Sequence, residues 1–175
     1  KVFGGLSFYQ RKEIKDVIAY MRLAVNSKDE QALVRVINYP KRGIGASSVE
    51  KLLVFADDRN ISLWEAAENV HESPLGKRAV NQIKDFVSLI QSLKVMAKKF
   101  DAYEAANHIA KQSGILKELH SENTIEGLGR WENVQELLNA AQAFSEDPDL
   151  EDESLESFLA DISLFRDQDA KTDDE

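Results

Sequence analysis

The sequence predicts an all-α domain, an irregular assembly of seven to nine helices built around a helix-hairpin-helix-like Gly-Ile-Gly turn. Three observations point there. Apolar residues recur at helical spacing over nearly the whole length, most plainly at Val80, Ile83, Phe86, Val87, Ile90, Leu93 and Met96. Strand-like alternation is scarcely present, and Lys1 to Phe8, where Val2 and Phe3 precede Gly4-Gly5, is the one strand candidate. Capping and breaking residues punctuate the apolar runs where helices would begin and end. With 175 residues and 43% hydrophobic content, the chain is long enough to bury a substantial core.

Taken in order, Ile14, Val17, Ile18, Met21 and Val25 define an amphipathic helix over about 10–25, broken by Asn26-Ser27. A second helix at about 29–38 turns Ala32, Leu33, Val36 and Ile37 inward and stops before Pro40. A third spans about 47–58, with Ser47 as N-cap and Glu50 three residues later as a capping box. Ser62 caps a short helix carrying Leu63, Trp64 and Ala67. The long stripe from Val80 to Met96 follows Ser73-Pro74. Tyr103 to Ala110 is helical to about Ser113-Gly114, and Ile115 to Leu119 adds another turn. Ser121 to Gly129 reads as a loop with two glycines, ahead of a helix marked by Trp131, Val134, Leu137, Leu138, Ala141 and Phe144. A last helix spans about 153–164, leaving 166–175 as a disordered acidic tail.

Charge is unevenly distributed. Residues 145–175 hold thirteen acids against Arg166 and Lys171, a net −11, while the rest of the chain has twenty bases and eighteen acids. The overall −9 therefore does not exclude a nucleic-acid role for the body, provided its cations cluster. The chain has no cysteine, and His71, His108 and His120 stand apart, so no metal site is expected. Nothing approaches a membrane-spanning run or a signal peptide, which predicts a cytoplasmic protein with no membrane partner. Neither a nucleotide-hydrolysing glycine loop nor a convergent Ser/His/Asp set is visible, so no catalytic residue is assigned and catalysis by this chain alone is not expected.

The most informative stretch is Pro40-Lys41-Arg42-Gly43-Ile44-Gly45-Ala46-Ser47. Glycines on both sides of one apolar residue permit a sharp turn and close approach of another surface. Free amides at the start of the following helix, its dipole and the two cations form a phosphate seat. The competing reading is an ordinary turn between helices with surface lysine and arginine.

Three segments together resemble UvrD/PcrA/Rep-type superfamily 1 DNA helicases. Gly4-Gly5-Leu6-Ser7-Phe8-Tyr9-Gln10-Arg11-Lys12-Glu13-Ile14-Lys15-Asp16, followed by Ala19-Tyr20-Met21-Arg22, is similar to one family segment. Arg35 to Gly45 is similar to the Asn-x-Pro-x-Arg-Gly-Ile-Gly element, with Tyr39 where threonine is frequent. Arg130-Trp131-Glu132-Asn133-Val134-Gln135-Glu136-Leu137 is similar to a third.

The resemblance implies a fragment covering the end of motor segment 2A (1–25) and helical subdomain 2B (26–165), within a parent that binds ATP and magnesium. By that resemblance the fragment holds no cofactor and contacts duplex DNA at a single-strand junction, without sequence preference, as a regulatory part of a 3'-5' DNA helicase. Lys41, Arg42, Gly43, Ile44, Gly45 and Ser47 would meet the duplex. Phe8 and Arg11 would lie near the single-stranded path. Glu13, Lys15, Asp16, Arg130, Glu132 and Asn133 would serve interdomain or structural pairing. The alternative is a protein-interaction module of the same helicase, receiving accessory repair proteins.

Overall fold

A computed structural model describes residues 5–173 and, among them, only helices. In chain order these are α1 (Gly5–Tyr9), α2 (Lys12–Val25), α3 (Glu30–Val36), α4 (Ala46–Arg59), α5 (Leu63–Glu68), a 3₁₀ turn (Val70–Glu72), α6 (Lys77–Lys99), α7 (Ala102–Gln112), α8 (Ile115–Ser121), α9 (Ile125–Ser145) and α10 (Leu155–Asp173). The all-α expectation holds, with ten α-helices among the described residues rather than seven to nine.

The differences have local causes. Of the strand candidate, residues 1–4 fall outside the described residues, and from Gly5 the chain is helical. Here Phe8 and Tyr9 are buried and pack edge to face. The expected loop before α9 is shortened because Thr124 caps that helix, its hydroxyl accepting from the Gly127 amide at 2.9 Å. Gly127 lies inside the first turn, where an added Cβ would stand 2.8 Å from the Cβ of Glu122. Glycine thus marks close packing there, not a break. Gly127→Ala is expected to destabilise the chain by about 1–3 kcal/mol through overpacking. Faster amide exchange at residues 125–129 would accompany the loss, and an unchanged melting curve would refute the argument. The last helix continues to Asp173, past the expected end near 164, since no glycine or proline interrupts residues 155–173.

α2 is the hub. Ile14, Val17, Tyr20, Met21 and Leu23 are fully buried, and α3, α6, α7, α9 and α10 all pack on it. A 14-residue helix buried nearly all round belongs inside a body, not on its surface. α6 contributes the anticipated stripe, with Ile83, Phe86, Val87, Ile90 and Leu93 buried. Full burial of such a side chain contributes roughly 1.5–3 kcal/mol. At one side of the body the first and last helices lie together, the Tyr9 and Phe165 rings meeting at 5.9 Å.

Candidate nucleic-acid interface

The loop from Ile37 to Gly45 joins α3 to α4 and is shaped by side chains. Asn38 Oδ1 accepts from the amides of Arg42 at 2.8 Å and Ile44 at 3.0 Å. One carboxamide oxygen therefore closes the turn in place of a backbone ladder. The Tyr39–Pro40 peptide within it is cis. Gly43 adopts φ +78°, a left-handed conformation that costs other residues about 1 kcal/mol or more. Ile44 inserts into the core at 1% exposure and pins the turn from beneath.

Arg42 differs most from expectation. Its guanidinium faces inward, away from a phosphate approaching the turn. Nη1 donates to the carbonyls of Val36 at 3.0 Å and Ile37 at 3.4 Å. Nη2 donates to the Tyr20 hydroxyl and, at 3.3 Å, to the Ser113 carbonyl in the α7–α8 connection. The guanidinium carbon also stands 5.1 Å from the Phe86 ring centroid. These acceptors are carbonyls at the end of α3 and in the turn before α8, of which Val36 also accepts from the Tyr39 amide, and a planar, permanently charged fork can serve them together. Arg42 thus buttresses the turn, and the sequence reading placed it on the wrong side.

Lys41, by contrast, is exposed and makes no ion pair among the described residues. α4 begins one residue before the expected cap, with Gly45 as N-cap at φ −75°, ψ 172° and no side-chain cap. The Ser47–Glu50 capping box does not form, because Ser47 already lies within the helix. Consequently the amides of Ala46, Ser47 and Ser48 have no partner among the described residues, at a helix start where Ala46 and Ser47 are exposed, as is Lys41 earlier in the same loop. An added Cβ at Gly43 or Gly45 would meet nothing within 4 Å, so both glycines border open space. The arrangement offers three amide donors, a helix N-terminus and one free cation to an anion.

Tyr20, unassigned from sequence, links this turn to the hub. Its hydroxyl, approached by Arg42, lies against the carbonyls of Tyr39 and, at 3.3 Å, Val36. Burial pushes its pKa up to about 12, with Arg42 opposing the shift. The neutral phenol is the form the fold favours. Stability should therefore fall as pH rises from about 10, where the unfolded chain ionises, through about 12. Because burial pushes Tyr39 up to about 12 as well, Tyr20→Phe is expected to reduce the amplitude of the step near pH 12 in the tyrosinate absorbance titration by about one tyrosine, without abolishing it. An unchanged amplitude near pH 12 would exclude the assignment. Tyr39, the departure from the family threonine, lies beneath Lys12 Nζ at 3.8 Å from its ring centroid.

The remaining residues singled out from sequence fall into two groups. Phe8 is buried beside Tyr9 and presents no face to a nucleic acid. Arg11 is exposed at the N-cap of α2, on a groove of about 670 Å³ that Lys12, Tyr39, Glu122, Arg130 and Glu132 also line. Glu13 is buried and accepts from Asn133 Nδ2 at 3.0 Å, joining the first and third motifs. Asp16 is buried between Lys12 at 2.7 Å and Arg35 at 2.8 Å. Arg130 pairs with Glu122, whereas Lys15 and Glu132 form no ion pair among the described residues. Among those residues no group of His, Asp or Glu is placed to hold a metal, and no helix is long and apolar enough to cross a membrane.

Residues 1–175 match the family described as the UvrD-like helicase C-terminal domain. The ATP-dependent DNA helicase PcrA of Staphylococcus aureus is 40% identical over 166 residues, covering 95% of this chain and 23% of that protein. The PcrA helicase of Staphylococcus epidermidis is 39% identical over the same length and coverage. The chain thus spans less than a quarter of the length of these curated relatives.

Proposed function

The chain belongs to the UvrD-like helicase C-terminal domain family, and from that premise we propose that it is the helical 2B part of an ATP-dependent DNA helicase. In this reading it holds duplex DNA by the phosphate backbone near a single-strand junction. The supporting observation is the α3–α4 turn, where unpartnered amides, two glycines facing open space and Lys41 converge on one exposed corner. Contacts of this kind read no base and depend on salt, which suits a helicase part that meets any sequence. Lys41, Gly43, Gly45 and the amides of Ala46 and Ser47 are the contacts; Ile44 and Arg42 hold them in place.

ATP and magnesium belong to motor domains elsewhere in the parent, so this chain regulates and positions rather than catalyses. Two features of the packing make this chain one body. α1 and α10 pack on each other, the Tyr9 and Phe165 rings meeting there. α2 is integral to the core of this chain, so the helix at the end of the expected motor segment packs directly on the helical body.

The test is fluorescence anisotropy of a labelled duplex with a single-stranded tail, titrated with the chain at low and at physiological salt. Binding that weakens steeply with salt and depends on Lys41 supports the reading. Salt-insensitive binding, or none at low salt by the folded chain, counts against it.

A further inference from the structure

A groove of about 400 Å³ runs between α2 and α3, on helix faces distinct from the α3–α4 turn. Ile18, Ala19 and Ala32 form its floor, and the two alanines let a ligand approach the helix backbones closely. Lys15 and Arg22 stand two helical turns apart on the α2 wall; Gln31 and Arg35 stand on the α3 wall. Asp16 occupies Arg35 through Nε at 2.8 Å. Lys15 and Arg22 have no ion-pair partner among the described residues. Asp29 closes one end, with Oδ1 engaged by the Ala32 amide at 3.1 Å. In a chain of net charge −9, this is a locally cationic slot with an aliphatic floor.

We propose that the α2–α3 groove is a docking site for an acidic amphipathic protein segment. Small aliphatic side chains of the partner would rest on Ala19 and Ala32, between carboxylates paired with Lys15 and Arg22. Charge complementarity selects the acidic partner, and Arg22 provides planar, bidentate capture of a carboxylate. The floor selects protein over nucleic acid. Among the described residues no aromatic side chain lines the groove, so it offers no stacking platform for a base, whereas two helices bordering an apolar floor suit a third helix laid between them.

The probe is a fluorescein-labelled amphipathic peptide with glutamates two helical turns apart flanking a pair of leucines. Its glutamine counterpart and a single-stranded oligodeoxynucleotide serve as controls. The acidic peptide is expected to bind the chain, with affinity falling about tenfold in Lys15→Glu/Arg22→Glu. A matching peptide with lysines in place of the glutamates should then bind that variant better than the unaltered chain. Binding of the tailed duplex should be unchanged in the same variant, which separates this site from the α3–α4 turn. The proposal is overturned if the glutamine peptide binds equally well or neither peptide binds. It is also overturned if the oligodeoxynucleotide displaces the acidic peptide while losing affinity for the variant.

Discussion

Arg42→Ala is expected to lower the melting temperature by about 6–12 °C, a loss of about 3 kcal/mol in a domain of this length. The guanidinium serves the carbonyls of Val36, Ile37 and Ser113 and the Tyr20 hydroxyl, in a half-buried position against Phe86. Truncation leaves the Ile37 and Ser113 carbonyls without a donor and removes one from Val36 and the Tyr20 hydroxyl, and an unsatisfied buried acceptor costs more than the hydrogen bond was worth. Arg42→Lys should fall between, because a single ammonium cannot reach all four acceptors in the geometry of a planar fork. Lys41→Ala, one residue away and exposed, should change stability by about 0.5 kcal/mol or less. If Arg42→Ala melts like the unaltered chain, the buttress assignment fails and the outward-facing role read from sequence returns.

That contrast between adjacent cations shows where sequence reasoning stopped. The helical period, the Pro40 stop and the Ser62 cap placed most elements within a few residues, because each is a local signal. The turn itself was also legible, since Gly43 at φ +78° needs glycine whatever surrounds it. Lys41 and Arg42, however, are alike to any charge count. Only the carbonyls of α3 and of Ser113, 71 positions further along the chain, determine which of the two is consumed internally. Asn38 was visible as a motif residue without a role, because its two amide partners appear only when the loop is closed. Gly127 misled in the opposite direction, as a glycine chosen for tight packing inside a helix looks in sequence like one chosen for a turn.

Gly45→Val is expected to weaken binding to the tailed duplex by more than about tenfold while leaving the fold in place. Gly43 is the poorer probe, because its positive φ makes any substitution strain the turn and confounds contact with stability. Gly45, at φ −75° and ψ 172°, is in a region any residue adopts, and its added Cβ would meet nothing within 4 Å. A valine there has space inside the chain and takes space only from a ligand approaching the amides of Ala46 and Ser47. The N-cap change itself should cost about 1 kcal/mol or less. The salt dependence then sorts the neighbouring cations. Removing a lysine that neutralises one phosphate reduces the slope of log affinity against log salt by about 0.9 in B-form DNA. Lys41→Ala should show that reduction. Arg42→Lys, measured where it remains folded, should lower affinity with the slope intact, since a buttress loosens the site without removing a phosphate contact. Equal binding by Gly45→Val and the unaltered chain would place the duplex elsewhere on the molecule and leave the turn with a purely structural role.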